Sequence, residues 1–168
     1  MPAARRTRIA LALAIAACSE ASGGPGNGSP GPVDFTVGGM TFHVSSGAVA
    51  TVGGVLTLFL TDQPDGCLAI TYTPVGTATV FSLGVAPAAD GTTSATVVSP
   101  RPVPAAGEAV GKLVRATHGV PDAGFDAADG SVSWTANADG SVTIVSLDVG
   151  FAGVPGRLST GGWTIPRC

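Results

Sequence analysis

Residues Ala128 to Phe151 read ADGSVSWTANADGSVTIVSLDVGF. The pentapeptide ADGSV opens at Ala128 and again at Ala138, and each copy leads into an alternating apolar run. Asp-Gly supplies the left-handed backbone that a tight hairpin corner needs, so both copies read as corners, followed by strands at 132–136 and 142–151. The offset is too short for a solenoid repeat and fits an antiparallel meander. On this reading Val145, Leu147, Val149 and Phe151 face inward together, and Trp134 packs in the core.

The same texture extends in both directions. Upstream, DFTVGGMTFHV (Asp34 to Val44) reads as two strands around Gly38-Gly39, and TVGG recurs at Thr51 to Gly54. Val55 to Asp62 (VLTLFLTD) is the clearest strand, with Leu56, Leu58 and Leu60 on one face. After a Pro64-Asp65-Gly66 turn, CLAITYT from Cys67 alternates Leu68, Ile70 and Tyr72 and is expected to be another strand. Thr77 to Ala86 and Thr93 to Ser99 flank Asp90-Gly91, which reads as a hairpin corner. Pro100 to Gly111 reads as a loop that enters a strand at Lys112 to Thr117, because Gly107 and Gly111 disfavour a helix. Downstream, Arg157 to Ser159 and Trp163 to Ile165 are expected to pair across Gly161-Gly162.

These segments predict an all-β fold: one antiparallel β-sandwich or barrel-like domain over residues 33–168, built of roughly ten short strands. The composition agrees. Charged residues are 11% of the chain, whereas it has 25 Gly and 13 Pro, so helices with solvated Glu/Lys faces are not expected and turns are frequent. The formal net charge is −3, and Arg5, Arg6 and Arg8 lie near the start, so the chain from Cys18 onward is more acidic still. An acidic surface repels phosphate backbones, and nucleic acid is not an expected partner.

Residues 1–17 combine a basic start with an apolar run, Ile9 to Ala17, too short to span a hydrocarbon core of about 30 Å as a helix. The run ends in Ile15-Ala16-Ala17-Cys18. This leader resembles that of bacterial lipoproteins, in which the signal peptide is removed before a cysteine that carries the lipid. The resemblance implies lipidation of Cys18, membrane attachment through that lipid and a cell-envelope location. Because Ser19 is not the Asp of inner-membrane retention, the outer membrane is the expected destination. Residues 18–32 are rich in Gly, Pro and Ser, a composition that predicts a disordered tether. With Cys18 assigned to lipid, Cys67 and Cys168 remain as an even pair in an oxidising compartment and are expected to form a disulfide.

The mature segments, including FTVGGMTFHV, LTLFLTDQPDGC and the closing WTIPRC, resemble small predicted all-β lipoproteins of myxobacteria and similar GC-rich bacteria. That family's function is unassigned, so the resemblance implies a fold and no mechanism.

Catalytic motifs are sparse. His43 and His118 are the two histidines, and neither has a partner at usual zinc-ligand spacing. No serine stands in a Gly-x-Ser-x-Gly elbow. Asp122, Asp126 and Asp129 form the one acidic cluster and a calcium candidate, although they lack the spacing and the distal Glu of a calcium-binding helix-loop-helix. Trp163, beside Gly161-Gly162, is the candidate ligand contact, since an exposed indole can stack on a sugar or anchor an interface. No cofactor is implied. The reading is a non-enzymatic envelope module for binding or structure, engaging an envelope protein or a glycan. The alternatives are an extracellular hydrolase with dispersed Asp, Ser and His, and a protease-inhibitor-like module using the loop Pro100 to Pro104.

Overall fold

The computed structural model describes residues 33–71 and 76–168. The leader, Cys18, the tether and Tyr72 lie outside the described residues. The fold is all-β and barrel-like, with eleven strands and one short helix among the described residues.

β1 (Val33–Val37) and β2 (Met40–Val44) form a hairpin across Gly38-Gly39, both at positive φ (57° and 78°). Its alternation is clean: Phe35, Val37, Met40, Phe42 and Val44 are buried, while Asp34, Thr36, Thr41 and His43 face out. The remaining strands form one curled sheet. β3 (Ser46–Val52), β4 (Val55–Thr61) and β5 (Thr77–Val85) pair antiparallel in sequence order, and β7 (Glu108–Thr117) follows β5. β8 (Val120–Ala136) is shared: residues 120–126 pair with β7 and residues 127–136 pair with β9 (Val142–Phe151). β6 (Ser94–Val97) fills the gap where β7 and β8 diverge, parallel to the first and antiparallel to the second. β10 (Arg157–Thr160) and β11 (Trp163–Ile165) both lie on β9.

The sheet closes on itself at a seam between β3 and the residues after β11. The N–H of Val49 donates to the carbonyl of Pro166 (2.8 Å), and that of Cys168 donates to the carbonyl of Val49 (3.0 Å). Cys67 and Cys168 form a disulfide across this seam, with Cα atoms 5.5 Å apart. The interior is filled by Phe42, Phe81, Leu83, Leu113, Ile144 and Leu158 among others, and Phe81 meets Phe151 edge-on with ring centroids 6.0 Å apart. The β1–β2 hairpin contributes its apolar face to the same core. It is held against the segment leading into β10 by the Gly38 N–H, which donates to the Pro155 carbonyl (3.0 Å). A Cβ on Gly156 would stand 2.1 Å from the Thr36 carbonyl oxygen, so that approach requires glycine.

Several expectations are corrected. Among the described residues the segment from Cys67 forms no strand: Gly66–Thr71 is a helix, α1. Asp65 caps it, its Oδ1 accepting the Leu68 N–H at 3.1 Å, and that local bond wins over the apolar alternation; Leu68 is left 53% exposed. Asp90-Gly91 is a turn, but β5 and β6 do not pair, since β6 is drawn between β7 and β8. The first ADGSV copy is no corner. β8 runs straight through it, absorbing the extra residue as a bulge between Ala127 and Asp129, with Gly130 at φ 119°. The second copy is a corner, with the Gly140 N–H donating to Asn137 and the Asn137 N–H to Ser141. A second bulge opposite Ser133/Trp134 turns Val145 outward (55% exposed), whereas Leu147, Val149 and Phe151 are buried as expected. The strand expected from Lys112 begins at Glu108. Finally, β10 and β11 do not pair with each other, because β9 is long enough to hold both end to end.

Candidate functional site

Trp163 is buried, 5% exposed, which corrects its assignment as an exposed contact. It stands opposite Ile144 in the β9–β11 ladder, and its indole N–H donates to Thr160 Oγ1 at 3.0 Å. Its flank borders a cleft of about 840 Å³ at the seam, shared with Ser46, Pro64, Gly66, Cys67 and Pro166. Beside the cleft α1 lies on β3 with no side chain between them at Gly66: a Cβ there would stand 2.4 Å from the Gly47 carbonyl.

The acidic residues expected to cluster are separated, each facing its own cation. Arg115 Nε donates to Asp122 at 2.7 Å, Lys112 Nζ is 3.7 Å from Asp126, and Arg157 Nη1 donates to Asp129 at 2.6 Å. Asp122 and Asp126 stand about 13 Å apart along the extended strand, and beyond the bulge between Ala127 and Asp129 the next carboxylate, Asp129, meets Arg157 of β10. Arg157 also grips Asp148 with two further bonds, at 3.0 and 2.8 Å, so its guanidinium ties β8, β9 and β10 together. Gly150 leaves room beneath this group, its missing Cβ lying 2.7 Å from Arg157 Nη1. The Asp148 carboxyl is held below the ordinary range by these bonds from Arg157, and the Asp122 carboxyl by those from Arg115 and Thr117. Among the described residues no group of three or more His, Cys, Asp or Glu could hold a metal.

The histidines serve different places. His43 Nδ1 contacts Asp34 Oδ1 across the exposed face of the hairpin, where both side chains are half exposed or more. His118 occupies the β7–β8 turn at φ 50°, and its N–H donates to the Gly76 carbonyl at 2.7 Å. Among the described residues no hydroxyl hydrogen-bonds to either imidazole; His43 meets Asp34, and His118 Nδ1 accepts from the Gly76 N–H at 3.4 Å. The loop Pro100 to Pro104 is strapped at its base, Glu108 Oε2 accepting from Arg101 (2.8 Å) and from the Ala105 N–H (2.8 Å), and leaves Val103 exposed.

One surface feature was not anticipated. The outer face of β6, β8, β9 and β11 carries hydroxyls in register. Ser94, Ser133 and Ser146 lie side by side, as do Thr135, Thr143 and Thr164, and Thr96 adjoins Ser131. Ser133 and Ser146 share a 2.7 Å hydrogen bond, and Thr143 and Thr164 share one of 3.0 Å. A trough of about 290 Å³ runs over this face, floored by serines and Thr96 and walled by Ala88 and Gly107. The serines are scattered singly along the chain, and only alternation on β6, β8 and β9 could have indicated that they share a face.

No protein-family model, curated protein or solved structure matches the chain.

Proposed function

We propose that this protein is a lipid-anchored module of the bacterial cell envelope that binds a partner and performs no chemistry of its own. The observation that carries the reading is the Cys67–Cys168 disulfide. Disulfides persist in oxidising, extracytoplasmic compartments. This one also accounts for two of the three cysteines and leaves Cys18 for the lipid, at the end of Ile15-Ala16-Ala17. On this reading residues 18–32 link the lipid to β1. Ser19 favours the outer membrane.

A non-catalytic role is supported by the side-chain inventory. The carboxylates Asp122, Asp126, Asp129 and Asp148 are occupied in ion pairs with strand cations, and the one His–Asp contact lies on an open face. Fractionation of cells that produce the protein tests the anchor. The parent is expected in the membrane fraction, resistant to high salt and released by detergent, whereas Cys18→Ser is expected to be salt-extractable. A Cys18→Ser protein retained as firmly as the parent would overturn the reading.

A further inference from the structure

We propose that the hydroxyl face over β6, β8 and β9 is the ligand surface of this module, and that its ligand is a neutral polysaccharide. The inference rests on the binding-module reading and names the ligand class.

The chemistry of the surface selects the class. The trough lining is Ala, Gly, Val, Ser and Thr, with no charged side chain among the described residues. A phosphate or carboxylate ligand calls for Arg or Lys forks, and a compact apolar ligand for aromatic or aliphatic walls. A hydroxyl donates one hydrogen bond and accepts two, so the Ser133–Ser146 pair, joined by one bond, still has a donor and several acceptors to offer. Sugar hydroxyls have the same dual character.

The arrangement favours a polymer. Adjacent strands bring Ser94, Ser133 and Ser146 into one row and Thr96 and Ser131 into the next, with strand spacing of about 4.8 Å; that second row ends on β9 at Asp148, which lies outside the trough and is occupied by Arg157. Each hydroxyl competes with water and gains little alone. A chain of repeating hydroxylated units can engage several rows at once, and each further contact is then intramolecular. The residue choice is not explained by strand formation, which favours β-branched and aromatic side chains over serine.

Affinity electrophoresis of the purified protein in gels containing dextran, laminarin or hydroxyethylcellulose tests this, with heparin as the charged comparison. At least one neutral polymer is expected to retard the protein, with little salt dependence and more strongly as its chain length grows. The double variant Ser133→Val/Ser146→Val keeps strand-compatible side chains and is expected to weaken retardation at least about tenfold with an unchanged melting temperature. Thr36→Val/Thr41→Val, on the distant hairpin face, is expected to bind like the parent. Retardation by none of the three neutral polymers, by heparin alone, or equally by the Ser133→Val/Ser146→Val protein overturns the proposal. The anchor is read separately by fractionation, so either idea can fail without the other.

Discussion

Cys168 is tied to β3 through Val49 and to α1 through Cys67. Its N–H donates to the Val49 carbonyl at 3.0 Å, and its sulfur is bonded to that of Cys67, 101 residues earlier. The hydrogen bond is part of the seam that closes the sheet, and the disulfide holds that seam from outside.

Removing the disulfide therefore has two effects, a larger unfolded ensemble and a looser seam. For a loop of about 100 residues the chain-entropy contribution is up to about 4.7 kcal/mol. Cys67→Ser/Cys168→Ser, or the reduced parent, is expected to lose about 2–5 kcal/mol in denaturant unfolding. Hydrogen exchange is expected to rise first at the Val49 and Cys168 amides. A variant as stable as the parent would show that the seam closes without the covalent link.

Two glycines at the seam have no room for a side chain, Gly66 where α1 meets β3 and Gly47 where β3 meets β4 and β11. A Cβ at Gly66 meets the Gly47 carbonyl at 2.4 Å, and one at Gly47 meets both Ile165 and the Phe59 carbonyl at 2.7 Å. At Gly66 the obstacles are all backbone, which cannot rotate away; at Gly47 they are the Phe59 carbonyl and the packed side chains of Ile165 and Leu60. Gly66→Ala and Gly47→Ala are each expected to destabilise by more than about 1 kcal/mol, within the usual range for overpacking. Gly53→Ala is a control for steric crowding, since nothing lies within 4 Å of its Cβ position and its cost comes only from its positive φ. Thermal melts compare the three.

Acid weakens the fold in a defined window. Asp148 is held below the ordinary carboxylate value of 3.8 by Arg157, Asp122 by Arg115 and then Thr117, Asp139 by the Ser141 side chain and then its N–H, and Asp90 by the Thr92 N–H and then its hydroxyl. With folded values below unfolded ones, the unfolded chain binds more protons near this range. The stabilisation is therefore complete above about pH 4–5 and is lost as pH falls through the folded values. Urea midpoints are expected to be flat from pH 7 to 5 and to drop by pH 3, with a smaller drop in Arg157→Gln. Equal drops in parent and variant would remove Arg157 from the explanation.

How much the chain discloses before folding depends on how local its determinants are. Gly38-Gly39 and Asp139-Gly140 were legible because a tight turn is specified by its own residues. Asp129-Gly130 has the same letters and the opposite outcome, because β9 pairs across it, Asp129 with Gly150 and Gly130 with Val149. The helix at Cys67 was hidden by alternation in Leu68 and Ile70, while the deciding group, the Asp65 cap, lay just ahead of it. Val145 was misplaced because the bulge opposite Trp134 shifts its parity, and Trp163 because its neighbour in space, Ile144, is distant in sequence. The pairing of Cys67 with Cys168 was legible from cysteine arithmetic, and the hydroxyl face was not, since it arises only once three strands take their register.

Mass spectrometry of the mature protein, purified from a bacterium with lipoprotein processing and digested without reduction, tests the assignment of all three cysteines at once. The expected spectrum contains an N-terminal peptide that begins at Cys18 and carries diacylglycerol, and a Cys67 peptide linked to the Cys168 peptide. An N-terminus at another residue, or Cys18 present without lipid, would contradict the envelope-anchor reading.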